Sequence, residues 1–263
     1  MGSVPDLQFG DRGLTLCCKE IEMSITLTRL AVIPGLVIIA YIYGKDKVEK
    51  EPLGLIGKLI LYGMGCCYVA AMAERFVSFF LPGFPAGSLG YALTNAFLVA
   101  ALCEEAVKLL ALKLGAWNSN HFNYRFDGIV YGVSVAVAFA ILENIMYVTQ
   151  YGFATAVVRA FTAVPLHAFC GAVMGIQFSQ AKKAAIDGRI TARMAHMILA
   201  YLLPFIIHGL YDTFAMMRTQ FAQMCLFAFV IFLFVTVIGM VNRMSREDRN
   251  GGFYRRGGLD DIQ

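Results

Sequence analysis

Four stretches of this 263-residue chain place ionisable side chains inside otherwise apolar sequence. The first is the run Cys103, Glu104, Glu105, Ala106, Val107, Lys108. The second is Glu143 beside Asn144, the third holds Arg159 and His167, and the fourth runs from His208 to Asp212. A charged group at bilayer depth costs about 2.5–3.5 kcal/mol on insertion scales, so it persists where it faces a partner or a cavity. Glu104 and Lys108 are four residues apart and share a helical face, as do His208 with Asp212 and Phe139 with Glu143. Glu105 is turned about 100° from Glu104. That turn predicts that one glutamate pairs with Lys108 while the other addresses the interior.

These residue types can carry hydrolytic chemistry. A carboxylate acts as general base on water. Histidines and an aspartate polarise a carbonyl and hold a developing oxyanion. Peptide-bond hydrolysis is one reaction for Glu104, Glu105, Glu143, His167, His208 and Asp212, with Lys108, Asn144 and Arg159 in support. The same residues fit a proton- or ion-coupled transporter, and a catalytically silent membrane scaffold is a third class. Each part also has a structural reading. Glu104, Glu105 and Lys108 could be an ion-pair cluster, His167 an interhelical hydrogen-bonder, His208 with Asp212 an orienting pair, and Arg159 a scaffold group. Glu74 beside Arg75 reads as a local pair or a helix-end group. A zinc site would draw on His167, His208, Glu143 and Asp212, with one coordination position left open. There is no His-Glu-x-x-His motif.

The elements that must position these groups are membrane spans. The chain is 59% hydrophobic and 15% charged, against about 45–50% and about 25% in soluble domains. A spanning helix needs about 20 mostly apolar residues. Seven stretches qualify, at roughly 26–43, 56–81, 87–112, 128–149, 153–178, 194–217 and 221–242. The expected fold is therefore an all-α, polytopic transmembrane bundle of about seven spans. Residues 1–25 form an N-terminal extension expected to be poorly ordered. Residues 26–242 form a single transmembrane domain, and 243–263 a basic tail. The first 22 residues lack the apolar core of a signal peptide, and Met23 is an alternative start.

Basic residues give the orientation. Lys45, Lys47, Lys50 and Lys58 mark the first connection, Lys113 and Arg125 the third. Lys182, Lys183, Arg189 and Arg193 mark the fifth, and Arg243, Arg246, Arg249, Arg255 and Arg256 the tail. The second and fourth connections have none and the sixth has Arg218. Positive residues stay inside, so the N-terminus is expected outside and the C-terminus in the cytoplasm. Counting about 1.5 Å per residue from the basic ends places Glu104 near mid-membrane and both His167 and His208 in the outer half. The seven cysteines form no Cys-x-x-Cys pair and read as small apolar packing residues. No basic-aromatic interleaving suggests nucleic acid.

The ordered set of motifs resembles the PrsW family of intramembrane proteases. The matching residues are Glu104 to Lys108, Phe126-Asp-Gly-Ile-Val-Tyr-Gly132, Phe139 to Glu143 with Asn144, Arg159-Ala160, His167, and His208-Gly-Leu-Tyr-Asp212. Pro34-Gly35 and the connection from Asp46 to Pro52 match as well, so the likeness covers about 30–242. It implies a multi-pass enzyme of the bacterial plasma membrane that cuts single-pass proteins near the outer face. The family's known role is first-site cleavage of an anti-sigma factor in envelope stress signalling. The likeness extends to the CAAX-prenyl-protease and bacteriocin-processing superfamily. There the paired glutamates, a second polar motif and a late histidine form the site. Carried over, these are Glu104 and Glu105, then Glu143, then His208 with Asp212. The prenyl-protease branch can have histidine at the second motif and asparagine at the end of the third, where this chain has Glu143 and Asp212. Members of the family have been classed as metalloproteases, whereas the wider superfamily looks glutamate-dependent. The favoured expectation is a metal-independent site with Glu104 as base, zinc being the alternative.

Overall fold

The structure is a computed structural model that describes residues 9–217 and 219–248, with the side chains of 9–22 and 24 outside that description. Every regular element among the described residues is helical. Helix α1 spans Phe9–Lys45, α2 Leu53–Phe80, α3 Leu89–Leu93, α4 Leu102–Ala116 and α5 Arg125–Tyr151. They are followed by α6 Phe153–Phe161, α7 Ala163–Ile186, α8 Ile190–Met216 and α9 Gln220–Glu247. Six stretches are long and apolar enough to cross a membrane: Ile25–Lys45, Leu53–Phe80, Arg125–Tyr151, Phe153–Ile186, Ile190–Met216 and Gln220–Glu247. The seventh expected span, 87–112, is a composite. α3 runs through a π-helical segment, Thr94–Ala101, into α4. π-helical insertions widen the turn and recur at functional sites, and this one directly precedes Glu104 and Glu105. Helix α1 starts at Phe9, so it reaches well into the segment expected to be a poorly ordered extension. Arg218, Arg249, Arg255 and Arg256 lie outside the described residues.

Helix α5 is the centre of the bundle. It is buried without interruption from Phe126 to Ile141. The reason lies in its small residues, which let neighbouring backbones come close. Gly128 and Gly132 on α5 face Gly171 and Gly175 on α7. A Cβ on Gly128 would collide with the Gly175 carbonyl, and one on Gly132 with the Gly171 carbonyl. Helix α2 crosses α5 at Gly63, where a Cβ would strike the Val135 carbonyl. Large apolar side chains on the periphery, such as Phe79, Phe80, Phe221 and Phe232, point outward as lipid-facing groups do.

Breaks fall where the backbone demands them. Gly152, at φ +78°, turns α5 into α6, a conformation that glycine adopts without strain. Thr162 then separates α6 from α7, so the expected fifth span is a kinked pair. Helix α8 packs on α7 and on the π-helical segment, with Gly209 against the ring of Phe97.

One end of the bundle is tied by polar contacts. Ser245 Oγ donates to the Lys45 carbonyl at 2.6 Å, and Lys45 Nζ to Asn242 Oδ1 at 2.9 Å. Asp248 accepts from the backbone N–H groups of Arg125 and Phe126 at the start of α5, a favourable place for a carboxylate. Between α1 and α2, burial pushes the Asp46 carboxyl up to about 6 and that of Glu51 up to about 7.

Candidate active site

Lys108 on α4 is the hub of the buried polar groups. Its Nζ lies 2.9 Å from Glu104 Oε2, 2.9 Å from Glu105 Oε1 and 3.0 Å from His167 Nδ1. The ring of Phe139 sits beneath, its centroid 4.1 Å from the ammonium. The i+3 and i+4 spacings bring both glutamates to one cation. The expectation that only one of them pairs with Lys108 is therefore corrected. An ammonium has three donors and no acceptor, and here each donor has an acceptor. His167 Nδ1 must accept, which leaves the proton on Nε2, 3.0 Å from Glu143 Oε2.

From Glu143 the contacts continue to α6. Arg159 Nη2 lies 2.8 Å from Glu143 Oε2, and its Nε donates to Asn144 Oδ1 at 3.0 Å. Its guanidinium lies 3.9 Å from the centre of the Tyr147 ring. Arg159 thus bridges Glu143 and Asn144. On the other side, His208 Nδ1 lies 2.8 Å from Glu105 Oε1 and 3.9 Å from Glu104 Oε2, and Nε2 lies 3.3 Å from Asp212 Oδ2. The rings of His167 and His208 meet edge to face, 5.1 Å apart. All nine residues expected at the site therefore join one continuous chain of contacts across α4, α5, α6, α7 and α8.

The two glutamates are not equivalent. The Glu105 side chain is 0% exposed and carries both Lys108 and His208 on one oxygen. Its Oε2 is buried and has no partner among the described residues. The Glu104 side chain is 6% exposed. Its hydrogen bond among the described residues comes from Lys108.

A metal would find donors of the right chemistry. Donor atoms of Glu104, Glu105, His167 and His208 all lie within 4.8 Å of one another, and carboxylate with imidazole is a common zinc set. Glu143 and Asp212, expected to share zinc with the two histidines, fall outside this group and instead flank the histidines. The position among the four donors is commanded by Lys108, whose ammonium bonds three of them. An added dication would sit against that ammonium and be repelled. As arranged, the residues do not fit a metal ion in addition to Lys108.

One neighbour was not expected. Tyr147 stacks on Arg159, one helical turn beyond Glu143, a spacing that could have flagged it. Glu74 on α2 makes no ion pair with Arg75 among the described residues. Cys67, Cys103 and Cys170 are buried and unpaired, as packing residues are.

Comparisons with known proteins point to one family. The model of the family described as "PrsW family intramembrane metalloprotease" matches residues 51–240. Protease PrsW of Geobacillus kaustophilus is 35% identical over 187 residues, covering 71% of this chain and 78% of its own length. Protease PrsW of Bacillus subtilis is 32% identical, covering 69% and 78% respectively. Protease PrsW of Clostridioides difficile is 30% identical, covering 80% and 88%. No solved structure gives a match.

Proposed function

Since the chain belongs to the PrsW family of intramembrane proteases, we propose that it hydrolyses a peptide bond in a single-pass membrane protein using a water activated by Glu104. The observation that carries this reading is the buried ring of Glu104, Glu105, Lys108, His167 and His208 inside a multi-pass apolar bundle. Such a set is costly in a membrane unless it does chemistry or carries ions. The protease family speaks for chemistry.

Each residue has a task in this reading. Glu104, with one oxygen uncommitted, takes a proton from water. The water oxygen bonds to the scissile carbonyl carbon, and the carbonyl π electrons move to oxygen. His208, held at Nδ1 by Glu105, turns its Nε2–H from Asp212, 3.3 Å away, to that oxyanion. When the tetrahedral intermediate collapses, the C–N bond breaks and Glu104 returns its proton to the leaving nitrogen. Lys108 keeps the glutamate pair in one geometry. His167, Glu143 and Arg159 brace the ring from the other side. The resemblance of its motifs to those of glutamate-dependent CAAX-type proteases supports the same assignment.

The family's known role supports an anti-sigma factor as substrate, cut near the outer face of the bacterial plasma membrane. A second reading keeps the protease and places zinc on Glu104, Glu105, His167 and His208. The family's description as metalloproteases favours it, but Lys108 would have to vacate the ring. The experiment is incubation of the purified protein with candidate single-pass substrates, without an ion gradient, followed by mass spectrometry of the fragments. Cleavage by the wild type that is lost in Glu104→Gln is the expected result. Proton uptake into vesicles with no fragments would replace the protease by a transporter.

A further inference from the structure

Two of the motifs singled out in the sequence take no part in the proteolytic ring. They are the connection from Asp46 to Pro52 and the run from Phe126 to Gly132. In the structure they meet. Asp46, Glu51 and Asp127 bring carboxylate oxygens within 4.8 Å of one another, at 4%, 2% and 1% exposure. No lysine or arginine forms an ion pair with any of the three among the described residues. Lys50, the nearest cation acting on Asp46, gives its Nζ to the Tyr43 carbonyl.

The remaining hydrogen bonds orient the cluster and leave it short of a partner. Asp127 turns Oδ2 to the backbone N–H groups of Asn123 and Tyr124, at 2.9 and 2.7 Å. Tyr131 donates its hydroxyl to Glu51 Oε2. Asp46 accepts from the N–H groups of Val48 and Glu49. What is left over is Asp46 Oδ2 and Asp127 Oδ1, both buried and with no donor beyond the Glu51 carboxyl that faces Asp127. A buried oxygen without a donor costs about 1–3 kcal/mol. Two such oxygens, on carboxylates whose donor atoms lie within 4.8 Å of one another, call for a cation.

We propose that Asp46, Glu51 and Asp127 bind a hard divalent cation, Mg²⁺ or Ca²⁺, that pins the connection between α1 and α2 to the start of α5. The donors are all oxygen, which suits Mg²⁺ or Ca²⁺ and disfavours zinc. With metal–oxygen distances of about 2.0–2.6 Å, two donors on one ion stand at most about 4–5 Å apart, which matches the cluster. The site is separate from the proteolytic ring. Asp127 and Glu143 are sixteen residues apart on α5, about 24 Å along the helix.

The test uses the full chain in detergent, stripped with chelator and titrated with Mn²⁺ under electron paramagnetic resonance. The expected result is one saturable site, displaced by Mg²⁺ or Ca²⁺ and retained when Glu104 and Glu105 are both changed to Gln. Asp127→Asn and Glu51→Gln should each weaken it by about 10–100-fold. Should those variants fail to fold, the wild-type titration decides, with thermal unfolding as a second measurement. A melting temperature that rises saturably with Mg²⁺ or Ca²⁺ supports the site. Absence of saturable binding overturns it, as does binding that vanishes with the Glu104 and Glu105 changes. A melting temperature that responds to acid but to neither cation overturns it too, since the carboxylates then share protons.

Discussion

Lys108 Nζ lies 3.0 Å from His167 Nδ1, and this contact fixes which ring nitrogen carries the proton. An ammonium can only donate, so His167 presents its N–H to Glu143 and has no lone pair free. The lysine thereby organises both halves of the ring, the two glutamates on its own helix and the histidine–glutamate–arginine series beyond.

Removing that cation is expected to be severe. Lys108→Met leaves buried Glu104 and Glu105 with His208 alone to offset them, and losing one partner of a buried pair costs about 3–5 kcal/mol. Thermal unfolding in detergent should show the loss together with loss of cleavage. A variant as stable as the wild type would mean that the glutamates are protonated in the native state and the ion pairs are not the organising feature.

The glutamate substitutions should separate base from scaffold. Glu104→Gln keeps the shape and the bond from Lys108, so folding should persist while cleavage falls to background. Glu105→Gln removes charge from the oxygen that holds both Lys108 and His208, so stability should fall along with activity. Full cleavage by Glu104→Gln would pass the role of base to Glu105 or end the glutamate mechanism.

Chelation distinguishes the glutamate and zinc readings. Exhaustive chelation should leave cleavage intact, measured with Mg²⁺ restored so that the corner at Asp46, Glu51 and Asp127 stays filled. His208→Ala should lower the rate by about 10²–10³, as loss of one oxyanion donor typically does. Zinc-dependent recovery of activity, with one bound zinc per chain that Glu104→Gln releases, would establish the metalloprotease instead.

The contact between α5 and α7 predicts a position-specific effect of a single methyl. Gly175→Ala puts a Cβ into the Gly128 backbone, and overpacking of this kind costs about 1–3 kcal/mol. Gly65→Ala, at a helical position with open space around it, should be neutral or stabilising by up to about 1 kcal/mol. Equal melting temperatures for the two variants would show that the helices can part without cost.

Orientation is open to reporter fusions placed after residues 50, 85, 120, 152, 187 and 219. The basic connections predict that 50, 120 and 187 report cytoplasm and the other three the outside. Reporters on one side after both 50 and 85 would remove the second span.

The class of this protein was legible in its residues. Apolar runs of span length, interrupted by a few carboxylates, histidines and one lysine, required a helical membrane bundle with a polar interior, because charge persists at that depth only where other helices receive it. The spacing of Glu104 with Lys108 and of His208 with Asp212 marked the faces that meet. The partners across helices were not legible, since contacts between residues 59 to 103 positions apart depend on how the helices cross. That crossing is decided by glycines 128, 132, 171 and 175, whose missing side chains let α5 and α7 touch. Helix spacing alone brings Lys108 to both glutamates, but only the folded bundle brings it to His167. The corner formed by Asp46, Glu51 and Asp127 likewise has no signature in spacing. Its carboxylates come from two segments that are far apart in sequence and joined only by the packing of α1, α2 and α5.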